Sequence, residues 1–565
     1  FRNTDGTLIH GSNAQEARLD PNTLRGMQYK KQTVIPHSIA RAINNHMLRL
    51  HHPEMLRIQA ARNFVNLHDD VHQPAATRLE VDAHIAALFP QNYTSIYLAL
   101  HELKNHKTND ATGEVFMPRK ILDIGFGPAT GMVALNELMG EDFRPEVKDA
   151  VIMGDPEMIK RAKIILSRQI CESPVVNDES VSRAELKYSV EDELPELYDE
   201  TPDNPSWGPV DTNKIKVKTK LRSDMPSNKK YDLIIMTHQL LKDTEKFPRQ
   251  IDRSVEQALD LLEPQGHLVI VERGNPLGFE TIARARQVMI RPEKHPLSNV
   301  KIPQPWIRGS TVKPKNQRRL YRDQIESELV EMDAEAERLN QELNAKFGEV
   351  TDDDLKFEFE KEAIEAKPTT ADYHLSILGP CSHHGKCPLQ TGKPGYYNFP
   401  AGKKLPWCHF SKSFTRPKFS MELKKGLRLA TPWASPTDGI GMKGSAPIGK
   451  GRAGGNNYEV ANYSYLLVER AANSGKMLQH GIDPTDPNKN LRGTGYLDPE
   501  DMKTWPRIVN QPKKAAKHVT FTACGASGQM ESWVVAKSKD KQAYHDSRKV
   551  RLGDLWAFAS PTVHP

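Results

Sequence analysis

The chain has 565 residues, of which 27% are charged and 38% hydrophobic, and its mean hydropathy is −0.62. No stretch approaches the roughly 18 uncharged apolar residues of a membrane span, and the length calls for two or three domains rather than one core. The net charge of +6 is unevenly placed: residues 1–300 carry 38 basic against 42 acidic side chains and residues 301–565 carry 40 against 30, so a polyanionic partner is expected to meet the second half.

In chain order, residues 1–115 predict a helical region. SIARAINNHMLRLHH and VDAHIAALFPQNYTSIYLALHELKNH repeat apolar side chains at three-and-four spacing. Across residues 116–300 the pattern changes. KILDIGF, DAVIMGD, YDLIIMTH and GHLVIVERG predict buried strands, and TGMVALNELMG, PEMIKRAKIILSRQI and SVEQALDLLEP predict helices between them. This alternation implies an α/β core, a mostly parallel sheet with helices on both faces. The acidic stretch at 172–212 reads as a loop-rich insertion. Residues 301–370 read as a second insertion, basic at KPKNQRRLYR and then acidic and helical, the composition of a solvated charged helix. Residues 371–565 hold most of the cysteines, a Gly-rich tract at 439–455 expected to be a loop, and two strand-like runs, NYSYLLVER and HVTFTACGASGQMESWVVAKSK. Both runs are expected to complete the sheet as late, partly antiparallel strands.

KILDIGFGPATGMVALNEL is an apolar strand ending in Asp123, a turn with Gly125 and Gly127, and a helix from about Thr130. Glycine lets the backbone approach a ligand, and the helix N-terminus offers free N–H groups to it. A ligand-free strand-to-helix turn has the same pattern, but the form D-x-G-x-G leans towards S-adenosylmethionine. Asp155 follows the second strand, where such folds often place an acid near the ribose hydroxyls, and Glu272 ends a later strand. Ala129 stands where a third glycine is usual, and Met153 where the ribose acid would most simply fall. Amine-directed methyltransferases carry Asn/Asp-Pro-Pro-aromatic after the fourth strand; this chain has Thr237-His238-Gln239-Leu240. No catalytic residue is assigned. His238 reads as a polar strand cap before it reads as a base.

Five cysteines, an odd number in a long chain, do not make a secreted disulfide framework and favour a reducing compartment. Four of them gather late: Cys381 and Cys387 in CSHHGKCPL, Cys408 in LPWCHF, and Cys524. Four thiolates can close a tetrahedral zinc site or hold an iron-sulfur cluster. The close pairs of zinc ribbons are absent, and the long spacing with Pro388 and Pro406 suits a bulkier cluster. His383, His384 and His409 are alternative zinc ligands or neighbours of the site, and Cys171 reads as structural.

Around this segment Lys403, Lys404, Lys412, Arg416, Lys418, Lys424, Lys425 and Arg428 interleave with Trp407, Phe410, Phe414 and Phe419 and one acid, Glu422. Cations that meet phosphates and aromatics that stack on bases predict an RNA-contacting surface. A second basic stretch runs from Lys537 to Arg551.

Taken together, ILDIGFGPATG, VERGNPLGFETI, GPCSHHGKCPL, LPWCHFS, NYSYLLVER and YHDSRKVRLGDLWAF resemble the mitochondrial methyltransferase-like family of the small ribosomal subunit, the methyltransferase-like protein 17 family, in a fungal form. The resemblance covers about residues 30–560. It implies a class I, Rossmann-like S-adenosylmethionine-dependent methyltransferase fold with an N-terminal helical region and a C-terminal iron-sulfur extension. It also implies a [4Fe-4S] cluster on Cys381, Cys387, Cys408 and Cys524, and an S-adenosylmethionine loop at Asp123, Gly125 and Gly127. The implied role is a small-subunit ribosomal protein or assembly factor in the mitochondrial matrix, touching ribosomal RNA and ribosomal proteins but neither membrane nor DNA, with methyl transfer weak or lost. An active ribosomal RNA methyltransferase and a zinc-stabilised RNA-binding module are the competing expectations.

Overall fold

The computed structural model describes residues 13, 15–69, 71–108, 115–173, 208–289, 375–383, 387–398, 405–417, 419–420, 458–470, 493–560 and 562–564. Most of the acidic insertion, the charged run at 313–366 and the Gly-rich tract lie outside these residues. Among them no helix is long and apolar enough to cross a membrane.

Four helices come first: α1 (Pro21–Gly26), α2 (His37–His46), α3 (Pro53–Asp69) and α4 (Arg78–Lys107). Asp20 and Thr77 begin α1 and α4 by accepting the backbone N–H groups of Asn22 and Glu80, the usual way a helix satisfies its first donors. Buried residues surround most of α4, which packs on α3, on the helix that follows the first strand and on the sheet.

The expected alternation follows: β1 (Lys120–Gly125), α5 (Thr130–Met139), β2 (Val147–Ile152), α6 (Pro156–Leu166), β3 (Lys220–Arg222), β4 (Tyr231–Thr237), α7 (Arg249–Leu261), β5 (Leu262–Arg273) and α8 (Pro276–Met289). Later come β6 (Leu375–Gly379), β7 (Phe410–Thr415) and β8 (Tyr458–Arg470). The strands join in the order β3-β2-β1-β4-β5-β8-β6, with β7 beside the first half of β8. β1 to β5 are parallel, and β8 runs antiparallel between β5 and β6. One reversed strand inserted before the last is the order of the class I methyltransferase fold. Side chains alternate between two cores: Ile121, Leu233, Ile235 and Val269 face α4 and α5, and Leu122, Ile234, Leu268 and Ile270 face α7 and α8. Both faces are covered, so the strands are apolar throughout.

NYSYLLVER is β8 and completes this sheet as expected. HVTFTAC and ESWVVA do not. They are β11 (His518–Cys524) and β12 (Met530–Ala536) of a second sheet, with β9 (Arg507–Ile508), β10 (Lys513–Lys514) and β13 (Val563–His564), backed by α9 (Lys541–Ser547). Trp533, Phe521 and Trp556 fill a core of its own. The start of the chain is laced into it. Asp546 accepts from Asp20 N and Thr23 Oγ1, 526 and 523 residues away, and Leu555 N donates to Gly26 O.

Arg507 joins the two sheets. Its side chain is 1% exposed, its guanidinium pairs with Glu102 of α4, and it donates to Pro380 O and Gly553 O at 2.7 Å each. Burial opposes the guanidinium charge, but the Glu102 carboxylate more than offsets it. Burial likewise works against the Glu102 charge, yet Arg507 and His106 hold its pKa at about 2. Arg507→Met leaves the buried Glu102 carboxylate without its guanidinium partner, held only by the Tyr465 hydroxyl and His106, and is expected to cost about 3–5 kcal/mol. The double variant with Glu102→Leu should recover most of that loss. Urea unfolding followed by tryptophan fluorescence checks both, and equal losses in the two variants would show that the pair is not coupled.

Candidate functional site

Strand order reverses between β1 and β4, and the crevice outside their carboxyl ends is where an open α/β sheet takes a ligand. The glycine turn lies there. Asp123 is buried: its Oδ2 accepts Met132 N at 2.9 Å, and a Cβ at Gly131 would stand 2.3 Å from its Oδ1. The carboxylate therefore clamps the first turn of α5 onto β1, and burial pushes its pKa up to about 7. A Cβ at Gly127 would meet Thr130 Oγ1 at 2.7 Å. Ala129, the N-cap of α5, has φ 54° and ψ 45°, a left-handed conformation costing an L-residue roughly 1–2 kcal/mol that glycine escapes. The departure from a third glycine is thus a strained residue at the ligand turn.

A strap of residues 71–76 crosses this turn. Gln73 Nε2 donates to Lys242 O beyond β4, and Ala75 O accepts from Asp155 N beyond β2, so the strap passes over the end of β1 between them. His72 stacks on His238 with ring centroids 4.1 Å apart and on Phe126 of the turn. Asp155 is engaged twice, through its backbone to the strap and through Oδ1, which accepts Glu157 N to cap α6. His238 has φ 56° and is held from both ring nitrogens, by Glu272 Oε2 at 3.1 Å and Asn92 Oδ1 at 3.2 Å. It is a pinned support for the strap. Beneath it, His84 Nε2, Thr130 Oγ1 and Thr237 Oγ1 line one cavity with Asp123, Gly125 and Gly127, and none of the three has a hydrogen-bond partner among the described residues.

The four clustered cysteines converge. Cys381 follows β6, Cys387 and Cys408 lie in the segments before β7, and Cys524 ends β11; all four line one cavity with Phe279, Ile282, Arg286 and Tyr465. Ser464 Oγ donates to Cys408 O, and the register of the second sheet places Cys524 opposite Arg507. His383 is not equivalent to the cysteines. Its Nδ1 lies 3.1 Å from an Arg286 nitrogen, which can only donate, so Nδ1 accepts and Nε2 carries the proton. That N–H points at Cys524 Sγ, 3.2 Å away. His383 is therefore a donor to sulfur, which leaves the cysteine thiols as the atoms that could hold a metal. Burial pushes the Cys387 thiol up, whereas Cys381 is lowered by the Cys524 thiol that donates to it, with His383 and Arg286 adding to the effect. His409 lies against Trp407 with the rings tilted by 32°, His384 lies outside the described residues, and Cys171 is buried elsewhere with its thiol pushed up to about 11 by burial.

The basic stretch requires correction where it is described. Phe410, Phe414 and Phe419 are buried in the core and cannot stack on bases. Lys412 shares the parity of Phe410 and Phe414 on β7, so it too turns inward, and its ammonium is bound by Tyr29 O. Arg416 faces Glu459 at 3.7 Å, and Trp407 Nε1 donates to Gly274 O. Lys403, Lys404, Lys418, Lys424, Lys425 and Arg428 lie outside the described residues.

A family profile described as mitochondrial small ribosomal subunit Rsm22 matches residues 448–557. Over all 565 residues the chain is 40% identical to the mitochondrial ribosome assembly protein RSM22 of Saccharomyces cerevisiae, covering 81% of it. The chain belongs to the mitochondrial small ribosomal subunit Rsm22 family. Two mitochondrial Rsm22-cox11 tandem proteins of Schizosaccharomyces pombe are 23% identical over 195 residues, 34% of this chain and 21% of each of theirs. Among solved structures, the plantazolicin methyltransferase BpumL with SAH is 13% identical with a TM-score of 0.20, over 40% of this chain and 63% of its own. CcbJ methyltransferase from Streptomyces caelestis is 14% identical with a TM-score of 0.17, over 34% and 55%. The fold assignment of this Rsm22 family member rests on its strand order, without help from likenesses this slight.

Stability should be pH-dependent through the cleft. Burial lowers the His84 pKa to about 3 from an ordinary 6.5, so the unfolded chain takes up a proton first as pH falls, and this contribution to stability is lost below about pH 6.5. Between pH 7 and pH 5 the loss is roughly 2 kcal/mol. Asp123, raised to about 7, acts with the opposite sign, so the readout is the difference between wild type and His84→Gln in urea unfolding at the two pH values. The variant should lose about 2 kcal/mol less; parallel losses would show that His84 is not sealed.

Proposed function

We propose that this chain serves the assembly of the mitochondrial small ribosomal subunit in the matrix, as a ribosomal-RNA-binding protein with a methyltransferase fold and a structural [4Fe-4S] cluster. The observation that carries this reading is identity along the whole chain to a mitochondrial ribosome assembly protein. Convergence of four cysteines from separate segments on one cavity supports the cluster. The Cys381 and Cys524 sulfurs lie within 4.8 Å of one another, and Cys387 and Cys408 line the same cavity. Four thiols brought to one cavity in this way can hold an iron-sulfur cluster. When bound, the cluster supplies a covalent node between the loops after β6, before β7 and at the end of β11. Arg286 offsets thiolate charge, and the His383 N–H holds the Cys524 sulfur.

Methyl transfer is not part of this reading. At the position of the amine-directed motif His238 is pinned by Glu272 and Asn92 and covered by His72. Asp123, Gly125, Gly127 and Asp155 would hold S-adenosylmethionine only after the strap lifts from Gly154 and Asp155. Loosening it with Gln73→Ala and Pro74→Gly should strengthen cofactor binding about tenfold in equilibrium dialysis, and unchanged binding would show that the strap does not compete.

Anaerobically purified protein should be brown, with broad absorption near 400 nm, and should co-sediment with mitochondrial small subunits. Cys387→Ser should lose the colour and bind subunits at least about tenfold more weakly. Colourless, zinc-containing protein would remove the cluster. Site-specific, stoichiometric labelling of small-subunit RNA from labelled S-adenosylmethionine, lost in Asp123→Ala, would replace this reading with that of an active methyltransferase.

A further inference from the structure

We infer that one end of the second sheet is a docking surface for the phosphate backbone of duplex RNA. The inference rests on the RNA-binding reading above and locates it.

Folding gathers cations that are scattered in sequence. β10 ends in Lys513 and Lys514, both exposed, and the turn to β11 carries Lys517. That turn is not isolated. Lys537 N, just past β12, donates to Lys517 O at 2.8 Å, and from α9 Tyr544 donates to Ala516 O at 2.9 Å while Arg548 donates to Ala515 O at 3.2 Å. Lys537 and Lys539 therefore lie beside the β10–β11 turn, and the C-terminal end of α9 closes the group. Among the described residues none of Lys513, Lys514, Lys517, Lys537 and Lys539 is ion-paired with a carboxylate, although Asp540 is their neighbour. That one carboxylate, which caps α9 by accepting Ala543 N, leaves the group of five lysines net positive. So many unneutralised cations on one small surface raise the local potential and attract a polyanion.

The form of the polyanion follows from what this surface lacks. Single-stranded RNA is held by aromatic platforms on which bases stack, whereas duplex RNA is met through phosphates and sugar hydroxyls. Among the described residues the rings at this end are Tyr544 and the exposed His518; one imidazole is not the succession of rings that successive bases need, and Tyr544 cannot serve as a platform. Its hydroxyl is tied to the β10–β11 turn and Arg548 lies over its ring, 5.7 Å from the centroid. Lysine ammonium groups on flexible stems, without a stacking face, suit the backbone of a helix whose sequence they do not read. Unlike Lys412, which turns inward to Tyr29 O, these lysines stand in exposed positions on the outermost strand and the turns beside it.

The test uses the full chain and fluorescence anisotropy with a 16-base-pair RNA hairpin, a single strand of equal length and anionic vesicles. Wild type should prefer the hairpin. Lys514→Glu, Lys517→Glu and Lys537→Glu together should weaken hairpin binding at least about tenfold and reduce the salt slope by about two to three. The charge-matched control Lys214→Glu, Lys216→Glu and Lys220→Glu, on exposed lysines of the first domain, should stay within about threefold of wild type. Equal losses in both triple variants, or no loss in either, would overturn the assignment. So would vesicle binding without hairpin binding. If wild type bound neither RNA, the RNA-binding reading itself would fall, an outcome distinct from hairpin binding that survives the triple change.

Discussion

A buried guanidinium must have its donors satisfied, and in this protein that requirement organises the molecule. Arg507 reaches Glu102 on α4, Pro380 O just before Cys381, and Gly553 O near the end of the chain. In the second sheet it is paired with Cys524. One side chain therefore sets the distance between the first and the last cysteine of the candidate centre, and does so from the element that docks the second sheet on the first. The net stabilisation from such a pair is small because desolvation opposes it. Its importance lies in geometry, since few other arrangements satisfy the same donors.

Helix α8 extends this order to the cleft at the glycine turn. Phe279, Ile282 and Arg286 line the cysteine cavity, while Leu277, Gly278 and Thr281 line the space beside the strap. Between them the fully buried Glu280 accepts Thr391 N, Gly392 N and the Tyr397 hydroxyl, fixing the loop that follows Cys387. One helix thus supplies a wall to each cavity and the anchor of the loop between them.

Much of this was legible from residue pattern. Strands β1, β2, β4 and β5 are apolar on both faces and sit between amphipathic helices, and the cysteine spacing pointed to one shared site. β3 was missed because three partly polar residues carry no periodicity. β11 and β12 were read as strands but given to the wrong sheet, since composition does not encode the partner. The basic, aromatic segment misled because its alternation was taken as surface chemistry. Counting parity along β7 would have placed Lys412 on the same face as Phe410 and Phe414. Arg286, Arg507 and the strap left no local signal: each acquires its role from residues more than forty positions away.

The hydrogen bonds between residues 20–28 and residues 546–555 carry a consequence for how this chain comes into being. Contacts of such sequence separation form late and slowly, because closing a long loop precedes any gain from them. The opening helix has nowhere to dock until the final strands exist, and the cysteine cavity lacks a wall until Cys524 joins it. Docking of residues 20–28 and closure of the cysteine cavity therefore both wait on residues beyond position 505. A chain cut before Cys524 would leave residues 20–28 without their partners and the cysteine cavity without its fourth thiol, a state that proteases can distinguish from the laced one.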